Sequence, residues 1–254
     1  MRRTLSVFLL PLLLASASSA QARTLKEVQA SGVLRLATSA DYEPYNYMVG
    51  GKFMGFEVEL GNLIAKNMGL KPVWIKRDFD TLLTGFAKDD YDLVIASHAI
   101  TSTRLKQVDF SKPHSCGANV LLAKKGGPLT SKALEGKKLG AEAGSINLKY
   151  LQKLPFKKEI TVFRTTDDAV RAVAFGQIDA VLVDDLGALA AVKTYSKANL
   201  VYGAPVWSSP SGMALAKGNT DLRLAVNAAL NKVLLNGSYA AISKKTFGID
   251  IRCK

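Results

Sequence analysis

The chain has 254 residues, of which 48% are hydrophobic and 22% charged, with 20 glycines, 8 prolines and a formal charge of +13. This composition excludes a disordered or collagen-like chain, and the 2 cysteines exclude a disulfide-dense scaffold. The length suits one large domain or two small ones, each able to bury a core.

The only long apolar run comes first. Arg2 and Arg3 precede Leu5 to Leu14, and small residues follow through Ala15, Ser16 and Ala17 to Ala20 and Ala22. A basic start, a short apolar stretch and an A-x-A end describe a secretory signal peptide over residues 1–22. The stretch is too short to cross a bilayer, which needs ~20 apolar residues. No cysteine lies near the cleavage point, so the mature chain is expected in the periplasm and not as a lipoprotein. Removing Arg2 and Arg3 leaves a basic protein, but its lysines are scattered as pairs such as Lys124 and Lys125 or Lys157 and Lys158. No basic stripe carries interleaved aromatics, so a solvated surface is expected and no nucleic-acid partner.

Strand-like and helix-like segments then alternate. Val33 to Thr38 predicts a strand, and Phe56 to Leu70 a helix with Phe56, Leu60, Leu63, Ile64 and Met68 on one face. A short strand over Val73 to Ile75, a helix over Phe79 to Lys88 and a buried strand over Asp92 to Ser97 follow. The order recurs as a strand (Leu139 to Glu142), a helix (Ser145 to Gln152), a strand (Ile160 to Arg164), a helix (Thr165 to Phe175) and a strand (Asp179 to Val183). This alternation argues for an α/β fold with mainly parallel sheets. The phrases "GFAKDDYDLVIAS" and "AFGQIDAVLVDD" match, with Asp92 and Asp179 equivalent, so the chain reads as two similar lobes. A strand over Gly212 to Ala216, a helix around Leu222 to Leu234 and a last helix over Tyr239 to Phe247 are too small for a third domain. They are expected to return to the first lobe, making the crossover double and the cleft able to close.

Catalytic patterns are scarce. The 2 histidines are His98 and His114, neither beside a G-x-S-x-G turn, and no H-E-x-x-H, phosphate-binding loop or G-x-G-x-x-G occurs. His98 interrupts a strand end and reads as a packed side chain. His114 follows Pro113 and is expected in a loop, on the surface or near the crossover. No cofactor and no metal site are expected. Binding chemistry is better represented. Arg104 follows the strand over Asp92 to Ser97, in the first turn of an expected helix, where its planar fork can take a carboxylate. Asp184 ends the matching strand of the second half and can take an ammonium. A cation and an anion at equivalent strand ends suit a zwitterion; both residues on the outer surface is the alternative.

The stretches "LRLATSADYEPYNY", "GGKFMGFEVELGNLIAKNMGL", "FDTLLTGFAKDDYDLVIASHAITSTRLKQVDFSKP", "GKKLGAEAGS", "GQIDAVLVDD" and "SGMALAKGNTDLRLAVNAALNKVLLNGSYAAISKKTFG" run in order through nearly the whole chain. They resemble the family-3 extracellular solute-binding proteins, the receptors of polar amino-acid ABC importers. The resemblance implies a two-lobed, type II periplasmic-binding-protein-like fold. Its first lobe would span residues 23–116 and 206–254 and its second 117–205, with hinges near Ser115 to Asn119 and Pro205 to Ser208. It implies a small amino-acid ligand, a membrane permease as partner and a monomer. Tyr42 and Phe79 match the aromatic walls, Ser97 a polar contact to the ligand backbone, and Arg104 and Ser145 the carboxylate site. Asp184 matches the ammonium acceptor, and Glu142 and Ser39 match variable side-chain positions.

Two departures bear on the ligand. Ala99 stands where the family usually has a hydroxyl, and Ser39 stands where receptors for cationic amino acids often carry Asp. Glu142 can supply the lost charge or be a solvated carboxylate, and the basic net charge equally suits an anionic ligand, so the ligand side chain stays open. Cys116 and Cys253 can bond in an oxidising compartment if their Cα atoms come within ~7 Å. On the same scaffold a cyclohexadienyl-type dehydratase, with Glu142 as general acid, and a sensor's ligand-binding protein are the alternative functions.

Overall fold

The computed structural model describes residues 22–253. The expected signal peptide lies outside the described residues except for Ala22.

Thr24 caps helix α1 (Leu25–Ser31) in a capping box with Glu27, and Gly32 ends it at φ 66°. Strand β1 (Val33–Thr38) follows with the bounds its sequence predicts. A hairpin not predicted above, β2 (Tyr47–Val49) and β3 (Lys52–Met54), turns through Gly50 and Gly51, both at positive φ. Helix α2 (Phe56–Asn67) buries Phe56, Leu60 and Ile64 and stops earlier than expected, because Met68 forms its cap and Gly69 turns left-handed at φ 72°. Strand β4 (Lys71–Lys76) comes next.

The helix expected over Phe79 to Lys88 is two short 3-10 turns, Phe79–Thr81 and Gly85–Lys88. The hydroxyls of Thr81 and Thr84 donate to the carbonyls of Asp78 and Thr81, which competes with a longer helix. The Tyr91 hydroxyl, bonded to the Leu82 carbonyl, packs against Gly85. The strand expected over Asp92 to Ser97 shrinks to β5 (Leu93–Val94), with single ladder bonds at Asp92 and Ile95, because Ser97 turns away at φ 50°. Helix α3 (Ser102–Leu105) leads into the 17-residue strand β6 (Val108–Lys124).

The second half contains β7 (Lys138–Glu142), α4 (Ile146–Lys153), β8 (Glu159–Phe163), α5 (Thr166–Ala174), β9 (Ala180–Asp184), α6 (Asp185–Thr194) and β10 (Leu200–Tyr202). Strand β11 (Trp207–Ala216) returns beside β6, and α7 (Thr220–Leu235) and α8 (Ser238–Phe247) finish the chain.

The strands run in the order β4-β1-β5-β11-β6-β9-β7-β8, with β10 also on β6. Each half holds three parallel strands, β4-β1-β5 and β9-β7-β8. The antiparallel ribbon of β6 and β11 joins them, from Trp207 opposite Asn119 to Ala216 opposite Val108. Of the segments expected as hinges, Ser115 to Asn119 pairs within that ribbon, and Pro205 to Ser208 enters it at Trp207.

Both faces of each half are covered, which is why its strands read as nearly continuous apolar runs. Leu34, Leu36, Phe56 and Leu60 share one core with Met213, Leu222, Val226, Leu230 and Tyr239 of the returning segment. On the other face Val94 and Phe110 pack with Leu82 and Tyr91. In the second half Val181 and Val183 point to α5 and α6, while Ala180 and Leu182 point to the core containing Leu151.

The repeated aspartates do the same work in both halves. The Asp92 N–H donates to the Arg35 carbonyl at 3.0 Å, and the Arg35 N–H donates back to Asp92 Oδ2 at 2.7 Å. Asp179 makes the same exchange with Lys138, at 2.7 and 2.8 Å. Each aspartate thus locks its strand to the neighbouring parallel one.

Cys116 and Cys253 form a disulfide with Cα atoms 5.0 Å apart, tying the C-terminus to β6. His98 is packed as expected, its ring stacked on Phe79 at 4.3 Å. The loop expected around His114 is instead β6. His114 is 1% exposed, and its Nε2 lies 2.9 Å from Glu57 Oε1. Its burial follows from the length of β6, which carries Pro113 and His114 into the ribbon.

Candidate functional site

A cavity opens where the ends of β1, β5, β7 and β9 meet the β6–β11 ribbon. Ser39, Tyr42, Phe79, Ser97, Ala99, Arg104, Glu142, Ser145 and Asp184 all line it. The structure therefore brings every sequence-predicted site residue to one place, three of them from the second half.

The first half supplies the cation and the aromatic walls. Tyr42 stacks on Tyr45 with centroids 5.3 Å apart, and Phe79 is braced by His98. Burial and the nearby Arg104 charge hold His98 well below the usual histidine range, so it is neutral packing. The Thr101 hydroxyl accepts the Arg104 N–H at 3.2 Å and so starts α3, placing Arg104 in its first turn. Arg104 is 7% exposed, and its guanidinium donates to the Ala99 carbonyl at 3.0 Å and lies 5.7 Å over the Phe79 ring. Burial pulls its pKa down to about 10, partly offset by Glu142, so it stays charged at neutral pH. The Ser97 N–H donates to Glu57 Oε1 at 2.8 Å, while its hydroxyl is closed to solvent and without a hydrogen-bond partner among the described residues.

The second half supplies carboxylates and a helix start. Ser145 caps α4 by accepting the Leu148 N–H at 3.0 Å. Glu142 ends β7 and accepts from the Thr166 hydroxyl at 2.8 Å. Its burial, with Asp41 and Asp80 adding negative charge, pushes its pKa up to about 8. Asp184 ends β9 and caps α6. Its Oδ1 accepts the N–H groups of Leu186 and Gly187 at 3.1 and 2.9 Å and the Tyr45 hydroxyl at 3.0 Å. Its Oδ2 is closed to solvent and accepts no hydrogen bond among the described residues. Burial pushes this carboxyl up to about 7 against the pull of its backbone donors.

The two halves touch across the cleft. Arg104 donates to the Gly144 carbonyl at 3.2 Å, Tyr45 to Asp184, and the exposed Arg164 to Asp78 at 2.9 Å. Sequence reasoning missed Tyr45, Thr166 and Asn147, and also the polar residues of the ribbon, Ser115, Asn119, Ser209 and Ser211, which line the same cavity. Their signal was present, since "SCGAN" and "SSPS" put small polar residues inside strands.

Comparison with known proteins gives a consistent picture. The profile of the bacterial extracellular solute-binding proteins, family 3, matches residues 34–249. The chain is 32% identical over 231 residues to the L-cystine-binding protein TcyJ of Escherichia coli (strain K12), covering 89% of this chain and 87% of that protein. An ancestral arginine-binding protein bound to arginine superposes with a TM-score of 0.82 at 34% identity, over 85% of this chain and 99% of that one. The ancestral amino acid-binding protein AncCDT-1, a precursor of cyclohexadienyl dehydratase, superposes with a TM-score of 0.80 at 27% identity, over 87% and 98%. The fold is that of type II periplasmic binding proteins. A two-lobed α/β chain whose strand ends converge on this cleft, and whose sequence matches the profile almost throughout, belongs to the bacterial extracellular solute-binding proteins, family 3.

Proposed function

We propose that this protein is the periplasmic substrate-binding component of an ABC importer, and that it captures a polar or charged amino acid between its halves. The carrying observation is one cavity lined by Arg104 from the first half and by Asp184 from the second, whose Oδ2 has no hydrogen-bond partner among the described residues. In this reading Arg104 and Ser145 take the α-carboxylate, Asp184 takes the α-ammonium, and Ser97 adds a hydroxyl. Tyr42 and Phe79 flank the side chain. The first lobe comprises residues 23–116 and 206–254 and the second 117–205, with the ribbon as hinge. The ligand leaves unchanged for a membrane permease. Secretion fits the fold as well: cleavage after Ala22 would set the new N-terminal ammonium beside Asp89, whose Oδ1 lies 3.3 Å from the Arg23 nitrogen.

The test is a thermal-shift screen of common amino acids followed by calorimetry. Arg104→Ala leaves the bound carboxylate unpaired and is expected to cost about 2–5 kcal/mol, or roughly 30-fold to several thousand-fold in affinity. Binding of no amino acid, or equal affinity in the variant, would overturn the reading. One observation favours a second function: Glu142, whose carboxyl burial pushes up to about 8, sits in the cleft as a general acid would. Turnover of arogenate or prephenate, lost in Glu142→Gln, would establish that dehydratase activity.

A further inference from the structure

Lysine pairs that lie apart in the sequence are brought together by the fold. They stand where strands and helices of the second half end away from the cleft. Strand β7 starts at Lys138 and reaches the cleft at Glu142, while β6 runs antiparallel to β9 and ends at Lys124, beside the start of β9. Helices α4 and α6 start in the cleft, at the caps Ser145 and Asp184, and so also end at this far pole. Backbone hydrogen bonds join the strand ends. Gly136 donates to the Lys157 carbonyl at 2.7 Å, Glu159 to Lys137 at 3.0 Å, Asp179 to Lys138 at 2.7 Å and Lys125 to Asn199 at 2.8 Å. The segments 124–138, 153–159, 175–179 and 193–199 that make up the pole hold 10 lysines, no arginine and 3 acidic residues, Glu135, Glu159 and Asp179.

The corresponding end of the first half balances its cations internally. Asp92, the equivalent of Asp179, accepts from Arg23 at 2.9 Å and from Arg35 at 2.8 Å, and Lys217 pairs with Asp109 at 2.8 Å. At the second-half pole Asp179 instead accepts the Lys138 backbone N–H. Among the described residues no lysine of this pole enters an ion pair, and only Lys158 has its ammonium hydrogen-bonded, to the Leu154 and Phe156 carbonyls. Lys124, Lys125, Lys137, Lys138, Lys157 and Lys197 are all exposed. Phe175 stands among them at 69% exposure, and with Tyr195, Lys124, Lys125 and Lys197 it lines one open depression. Charges of one sign gathered in this way project a positive field from one end of the molecule. Lysines are hydrated point charges on flexible stems, suited to diffuse attraction by a plane of anionic headgroups, whereas planar bidentate recognition of a single anion favours arginine. An exposed aromatic ring among lysines suits the boundary between headgroups and acyl chains.

We propose that this pole is a docking surface for an anionic phospholipid bilayer, held by the unpaired lysines with Phe175 entering the headgroup layer. The proposal concerns an exported chain and does not depend on which solute the cleft takes. The cleft lies at the opposite ends of the same strands, so it stays open to solvent while the pole is docked. Docking then gathers the protein at the membrane without engaging the cleft rim. The attraction is long-ranged and screened by salt, which makes it reversible.

The test is flotation of the mature chain with vesicles of phosphatidylcholine alone or of phosphatidylcholine and phosphatidylglycerol mixed one to one. Each lysine near such an anionic surface adds roughly fivefold to binding at low salt. The mixed vesicles are expected to bind about 100-fold or more tightly than the neutral ones, and that binding should fall about tenfold as salt rises to about 0.15 M. Lys124→Glu with Lys125→Glu, and separately Lys157→Glu with Lys197→Glu, should each weaken it by about 25-fold or more. Either pair carries the test if the other does not fold. Lys26→Glu with Lys52→Glu makes the same change in net charge at exposed positions of the first half, and should leave binding nearly unchanged. Equal binding to neutral vesicles, no binding to the mixed ones at low salt, or an equal loss in the first-half variant would overturn the proposal. Binding of polyphosphate without binding of vesicles would overturn it too, in favour of a soluble polyanion. Each of these results leaves amino-acid capture standing, because calorimetry with amino acids tests that reading separately.

Discussion

The Tyr45 hydroxyl reaches across the cleft and donates to Asp184 Oδ1 at 3.0 Å. Two backbone N–H groups at the start of α6 share the same oxygen, so Oδ1 has three donors while Oδ2 has none among the described residues. One carboxylate thus divides its work, with one oxygen fastening the halves and the other without a donor among the described residues, as the proposed ammonium site requires. A hydrogen bond to a charged acceptor contributes about 1.5–3 kcal/mol. Tyr45→Phe keeps the ring that stacks on Tyr42 and removes only that bond. Ligand affinity should fall roughly 10-fold to 150-fold, mostly through faster dissociation, read by calorimetry and stopped-flow release. Unaltered affinity and release would show that the contact does not hold the closed form.

Protonation of the same carboxyl predicts the pH dependence. Burial raises Asp184 to about 7 and Glu142 to about 8, above their values in the unfolded chain. The unfolded chain therefore releases these protons first, and the empty protein loses stability as pH climbs from about 4 through 8. Ligand binding runs the other way, because an ammonium needs the ionised carboxylate. With a pKa of about 7 at Asp184, affinity at pH 6 should be about tenfold weaker than at pH 8. Calorimetry across that range checks this, and Asp184→Asn should flatten the Asp184 part of the slope. A flat profile in the unsubstituted protein would remove Asp184 as the ammonium acceptor.

What the sequence made legible follows from which forces are local. Asp184 stands directly after one apolar run and Arg104 follows another after a short connection, and both runs are strands covered on two faces, so the strand ends could be read without coordinates. The shared phrase around Asp92 and Asp179 corresponds to one hydrogen-bond exchange made twice. Tertiary contacts decided the rest. The segment from Phe79 to Lys88 has a helical apolar period, yet Tyr91 and the threonine hydroxyls break it into two turns. Strand β6 was hidden because Pro113, Gly117 and the serines interrupt its pattern, and β11 supplies the pairing from about a hundred residues away.

Glu57 illustrates a site residue that never faces the ligand. It lies fully buried in the first turn of α2, and its Oε1 accepts the Ser97 N–H at 2.8 Å and faces His114 Nε2 at 2.9 Å. Its Oε2 accepts the Asn46 amide at 2.7 Å, and Asn46 in turn accepts from the Ser39 hydroxyl and the Ala40 N–H at 3.1 and 3.0 Å. One carboxylate therefore fixes Ser97 in its left-handed turn, the Ser39 loop beneath the Tyr42 wall, and the ribbon at His114. Glu57→Ala would strand these donors in the core, and removing one partner of such a buried charged network costs about 3–5 kcal/mol. Urea denaturation should show that loss. Glu57→Gln retains an oxygen for Ser97 but turns an N–H group toward another donor. It should lower the midpoint less and still weaken ligand binding, because Ser97 and Ser39 lose their fixed positions. Stability falling in Glu57→Gln with ligand affinity untouched would show that Glu57 supports the core alone and does not shape the cleft.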